Sequence, residues 1–163
     1  MKLDATAFVG DQALVDALRK RSTPVDCGDG RVLFRQGDDP VGMYILHRGE
    51  VTMTMHSTEG ELLVEMRAGP GSLMGLPGLV GNSTYSLTAE ARKGADVSFV
   101  TREEFSRLML SEPGLAMMIL RVLAAEVRSA RIASQVSPAA GGKPSAAGIP
   151  EVKGGPARNK YLA

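Results

Sequence analysis

The strongest constraint on the fold is a hydrophobic period that changes twice along the chain. Between residues 32 and 100 the apolar residues fall into six short runs, 32–35, 43–46, 51–55, 62–66, 87–91 and 97–100. Turn-forming residues separate several of them: Gln36-Gly37-Asp38-Asp39-Pro40, Arg48-Gly49-Glu50, Thr58-Glu59-Gly60-Glu61 and Gly69-Pro70-Gly71. Short strands at such spacing argue for an antiparallel barrel, roll or sandwich. Val51, Met53 and Met55 alternate with Thr52 and Thr54, so one face of that strand is expected to be buried and the other wet. The 58–61 turn makes residues 62–66 its hairpin partner.

Helical spacing flanks this β region. Phe8, Leu14, Val15 and Leu18 predict one or two short amphipathic helices over residues 6–20, ended by Pro24 and the Asp26 to Gly30 cluster. At Thr101 the helical period returns. Thr101 and Glu104 have the spacing of a capping box, opening a short helix that holds Phe105, Leu108 and Met109. Pro113 then suits the first turn of a longer helix to about residue 132. On that helix Leu115, Met118, Val122, Ala125, Ser129 and Ile132 form one heptad seam, while Ala116, Leu120, Leu123 and Val127 line another side. One side packs on the β region, and the other needs a cover. A symmetric copy of the helix is the simplest one, with the heptad seam as the dimer interface. Residues 137–163 contain four Pro and five Gly among Ala, Ser and Lys, a composition expected to be disordered.

Composition narrows the function. A chain of 163 residues suits one domain, here residues 1–136 followed by the 137–163 tail. Aromatics are 4% and Trp is absent, so the core is expected to be built from Leu, Val, Ile, Met and Ala. A net charge of +1 gives no general attraction to nucleic acid or an anionic membrane. The lone Cys27 excludes an internal disulfide and fits a reducing compartment. Asp4, Asp11 and Asp16 interrupt the N-terminus, which lacks a signal-peptide layout, and no apolar run approaches the roughly 18 residues of a membrane span. The expectation is a soluble, cytoplasmic protein. No nucleophile elbow, phosphate loop or zinc-protease pair is present, so no enzyme is expected. His47 and His56 have no metal-ligand spacing, and Cys27 has no neighbouring ligand, so no metal site is expected.

Two segments in order, Val32-Leu33-Phe34-Arg35-Gln36-Gly37-Asp38 and Met43-Tyr44-Ile45-Leu46-His47-Arg48-Gly49-Glu50-Val51, resemble the opening of cyclic-nucleotide-binding domains. The Glu59-Gly60 turn and the loop Gly69-Pro70-Gly71-Ser72-Leu73-Met74-Gly75 continue the pattern. The likeness covers about residues 30 to 132 and follows the effector domain of the catabolite activator and fumarate–nitrate regulator superfamily. It implies a mainly β fold with flanking helices: an antiparallel β-roll, of jelly-roll or cupin-like double-stranded β-helix type, with N-terminal helices and a long C-terminal helix. It also implies a phosphate-binding cassette, whose glycine loop leads to a short helix with free N–H groups for the cyclic phosphate. In that cassette an Arg neutralises the phosphate and a Glu accepts the ribose hydroxyl.

By this resemblance the ligand site falls on Leu73, Gly75, Leu76, Gly78, Leu79, Tyr85, Ser86 and Leu87. The Glu position falls on Leu76 and the Arg-Ser pair on Tyr85-Ser86. No Glu, Asp, Arg or Lys occurs from Ala68 to Ala89; the nearest are Arg67, Glu90, Arg92 and Lys93. A hydrogen bond to a charged group is worth about 1.5–3 kcal/mol. Losing two costs roughly 3–6 kcal/mol, or about 10² to 10⁴ in affinity. Pro77 also removes one N–H from the anion-binding turn. Cyclic AMP and cyclic GMP are therefore expected to bind weakly or not at all, and no cofactor is expected.

The relatives' long helix leads into a helix-turn-helix domain, and the 27 residues after residue 136 are too few for one. The tail's Lys143, Lys153, Arg158 and Lys160 stand against Glu151, without aromatic interleaving, so no specific DNA binding is expected. The reading is a stand-alone regulatory or sensor domain in signal transduction, homodimeric, with a protein partner for its output. One alternative is a structural or protein-interaction domain with a filled pocket. Another is a small apolar-ligand or metal-binding roll.

Overall fold

In the computed structural model, which describes Leu3 and residues 5–136, all six expected strands form and two shorter ones join them. The order is β1 (Thr23–Val25), β2 (Arg31–Phe34), β3 (Gly42–Arg48), β4 (Val51–His56), β5 (Leu62–Ala68), β6 (Leu73–Met74), β7 (Thr88–Ala91) and β8 (Asp96–Thr101). They make two four-stranded antiparallel sheets, ordered β1-β8-β3-β6 and β2-β7-β4-β5. This is the antiparallel roll that the turn spacing and the resemblance imply. The expected hairpin is β4–β5, with Met53 opposite Met66. Its alternation holds: Val51 and Met53 are buried, while Thr52 and Thr54 are half-exposed. The sequence reading ends its first segment at Pro24, yet β1 contains it. β1 is an edge strand paired with β8 alone, where a missing N–H is tolerated.

The N-terminal segment divides into a 3-10 turn (Ala5–Phe8) and helix α1 (Gln12–Arg19). An isolated helix of eight residues is marginal in water. Leu14 and Leu18 are fully buried, and each such burial contributes about 1.5–3 kcal/mol, so packing rather than propensity holds α1. A six-residue helix α2 (Leu76–Gly81) follows β6. Thr101 caps α3 (Arg102–Ser111), its side chain accepting from the Glu104 N–H at 3.2 Å. The Glu104 side chain bonds Arg107 and Arg21 across the surface. Pro113 opens α4 (Pro113–Val136) after a bend of 118° between α3 and α4. No single described helix is long and apolar enough to cross a membrane. The segment 137–163, expected to be disordered, lies outside the described residues.

The apolar interior has two parts on opposite faces of β3. Met43 and Ile45 face an outer core with Leu14, Leu18, Phe105, Leu108, Leu115 and Val122 from the helices. Tyr44 and Leu46 face an inner core between the sheets. The inner core is mostly built of Leu, Val, Met and Ala, as composition leads one to expect, with Phe8, Phe34 and Tyr85 set among them. Phe34 stacks on Tyr85 with ring centres 4.2 Å apart, Phe34 meets Tyr44 at 5.7 Å, and Tyr44 meets Phe99 at 4.8 Å. Phe8, Phe34 and Tyr85 lie in the inner core and Phe105 in the outer one.

Candidate ligand site between the roll and the long helix

A cavity of about 160 Å³ lies where α4 crosses the open end of the inner core. Five of the eight residues expected at the ligand site line it: Gly75, Gly78, Tyr85, Ser86 and Leu87. Pro77, Phe8, Phe34, Met53 and Met55 complete much of the wall, with Glu126 and Ala130 from α4. Leu73, Leu76 and Leu79 lie apart from the other five. All three are buried in the outer core with the helices and take no part in this wall. The backbone turns at Gly75, whose φ is +89°, so consecutive residues serve different cores. A side chain at Gly75 would also approach the Tyr85 ring at 3.0 Å.

Tyr85 stands where the family's Arg falls and is held from two directions. Its hydroxyl donates to the Gly42 carbonyl at 2.8 Å, and its ring stacks on Phe34. Gly42 itself is packed closely on β8, where a methyl group would run into the Val100 carbonyl and the Phe99 ring. Burial pushes the Tyr85 phenol up, so it stays a neutral donor. The nearest charged residues in sequence lie elsewhere. Arg92 and Arg67 pair with Glu50, at 2.8 and 3.8 Å, with both guanidinium chains more than half exposed. Glu90 and Lys93 are exposed as well. No cationic side chain lines the cavity among the described residues.

The charged group that does line it is an acid. Glu126 sits one helical turn after Val122, on the side of α4 that packs inward. Its Oε1 is buried without a hydrogen-bond partner among the described residues. Burial pushes its carboxyl up to about 8, with no opposing charge. Sequence reasoning passed over Glu126. The available signal was an acid four residues after Val122, on the stripe assigned to a partner helix.

The residues of the expected dimer seam lie mostly against this chain itself. Leu115, Val122 and Ser129 are buried against this chain itself, and Met118 and Ala125 are half-buried on its two cores. Of the expected dimer residues, Ile132 is exposed. The exposed apolar stripe is Met117, Leu120 and Val127, on the other side of the helix. Leu123, from the second stripe, also packs on the outer core.

The remaining polar groups have local partners. His47, in β3, meets the Ser98 hydroxyl at 2.7 Å, and burial, followed by the Arg19 charge, lowers its imidazole. His56 ends β4 in the other sheet, where its backbone bonds the Gln36 side chain in both directions. Cys27 is buried in the inner core, and burial raises its thiol.

Comparison with known proteins agrees with the roll. The sequence pattern of the cyclic nucleotide-binding domain matches residues 24–112. The transcriptional activator anr of Pseudomonas aeruginosa is 31% identical over 127 residues, covering 77% of this chain and 50% of the activator. The lysophospholipase nte1 of Aspergillus oryzae is 24% identical over 64% of this chain, but that stretch is 7% of the lysophospholipase. This chain thus spans about half of the activator and a small fraction of the lysophospholipase. The catabolite activator protein of Thermus thermophilus shares the fold, with a TM-score of 0.67 and 23% identity over 77% of this chain and 59% of that one. On the match over residues 24–112, the chain belongs to the cyclic nucleotide-binding domain family.

Proposed function

We propose that this chain is a ligand-sensing regulatory domain whose pocket has lost the chemistry for a cyclic phosphate. One observation carries the reading: the cavity wall holds an unpartnered carboxyl and no cation among the described residues. A cyclic phosphate placed there would be an anion without a counter-charge, a costly arrangement. Tyr85 supports the reading, since its hydroxyl is committed to Gly42 and its ring to Phe34. The output runs through α4, which both walls the cavity and carries the exposed stripe of Met117, Leu120 and Val127. Leu120 also lines an apolar groove of about 550 Å³ with Val80 and Leu110. A second copy of this chain covers that face, as the family's coupling of its closing helix to dimer geometry implies.

Calorimetric titration with cyclic AMP and cyclic GMP tests the pocket, with no binding expected in the micromolar range. A dissociation constant of about 1 μM or tighter for either nucleotide, equivalent to about 8 kcal/mol, would sink the proposal. Light scattering tests the face. The chain is expected at dimer mass and Leu120→Asp at monomer mass; a monomeric parent chain would remove the dimer.

A further inference from the structure

We infer that the cavity binds a small organic ammonium ion, its charge on the Glu126 carboxylate and its apolar body against Phe8, Phe34 and Met53. This rests on the reading that the cavity is a ligand pocket that has abandoned the cyclic phosphate. Three observations give the chemistry. The Glu126 Oε1 is buried without a partner among the described residues, so the wall presents an unanswered acceptor. Phe8, Phe34 and Tyr85 line the same cavity, which gives the body of the ligand an apolar wall. At about 160 Å³ the space is close to the roughly 150 Å³ that holds one benzene ring in an apolar protein cavity, which limits the apolar body to about one ring.

The protonation state follows from the same geometry. Among the described residues, the other titratable group on the wall is Tyr85, a neutral donor already bonded to Gly42. Glu126 is therefore largely protonated near neutral pH in the empty pocket, its carboxyl held up by burial alone. An arriving ammonium ion favours the carboxylate, so the carboxyl proton is released to solvent as the ion pair forms. An alcohol of the same shape would leave that proton in place. A carboxylate of the same shape would meet the acid with no cation to answer it.

Titration calorimetry on the whole chain, near neutral pH, separates these cases with four probes: 2-phenylethylammonium, 2-phenylethanol, phenylacetate and cyclic AMP. The ammonium ion is expected to bind at least about tenfold more tightly than the alcohol, equivalent to about 1.4 kcal/mol. Phenylacetate is expected not to bind. The apparent enthalpy of ammonium binding is expected to change with the ionisation enthalpy of the buffer, which reports the released proton. Glu126→Gln is expected to remove both the preference and the buffer dependence. The charge series and the proton count use the parent chain, so they stand even if that variant fails to fold. Equal binding of ammonium and alcohol, binding without proton release, or no ammonium binding overturns the inference. Tight binding of cyclic AMP would instead overturn the reading beneath it, whereas a silent panel leaves that reading standing and removes this one.

Discussion

β3 sends Met43 and Ile45 into one core and Tyr44 and Leu46 into the other, so adjacent residues build two different interiors. The outer core is mostly aliphatic and closed on several sides by α1, α3 and α4. The inner core carries the aromatic chain of Phe34, Tyr44, Phe99 and Tyr85 and leaves a cavity where α4 crosses it. The helices pack on the outer core, and the cavity lies beside the inner one.

The largest test of that contrast is truncation. Ile45→Ala in the outer core is expected to cost about 2–5 kcal/mol in urea unfolding, because a closed site cannot collapse around the missing methyl groups. Leu87→Ala, at a half-buried position already beside the cavity, is expected to cost less than half as much. Equal losses would erase the distinction between the cores.

Glu126 gives the next effect. Its folded carboxyl is raised to about 8 from an ordinary value of 4.5, so the folded chain holds the proton more tightly than the unfolded chain does. Its contribution to stability is complete below the unfolded value and is lost as the pH rises through the folded one. His47, lowered by burial, contributes in the opposite sense, losing stability as the pH falls below its ordinary 6.5. Subtracting the parent curve from that of Glu126→Gln removes the His47 part. The difference is expected to favour the variant increasingly from pH 5 to 8, by at most about 1.4 kcal/mol per pH unit, and then to level off. A flat difference would mean that the carboxyl is solvated or paired.

Tyr85→Phe is the smallest change. It keeps the stack on Phe34 and removes the bond to Gly42, for an expected loss of about 0.5–1.5 kcal/mol. A loss at the level of Ile45→Ala would show that the hydroxyl, more than the stack, holds the cavity wall.

Much of the roll was legible because period-two runs and glycine turns carry their own signal. Thr52 and Thr54 mark the wet face of β4 without any knowledge of its neighbours. β1 and β6 escaped because three and two residues are too short to show a period. The cassette was legible as a place but not as a wall. Gly75, Gly78, Tyr85, Ser86 and Leu87 line the cavity, while Leu73, Leu76 and Leu79, chosen by the same alignment, pack in the outer core. A string of residues records neighbours along the chain, and the turn at Gly75 decides which core each one enters.

The sequence by itself determined six of the strands and the β4–β5 hairpin, the capping of α3 by Thr101, and the lack of charge between Ala68 and Ala89. These depend on local period, on one side chain reaching a nearby N–H, and on composition. Which stripe of α4 faces inward was decided only by the tertiary structure. Both stripes are apolar at helical spacing, so periodicity cannot rank them. Burial of Leu115, Val122 and Ser129 chose one, and that choice carried Glu126 into the cavity while leaving Leu120 and Val127 outside.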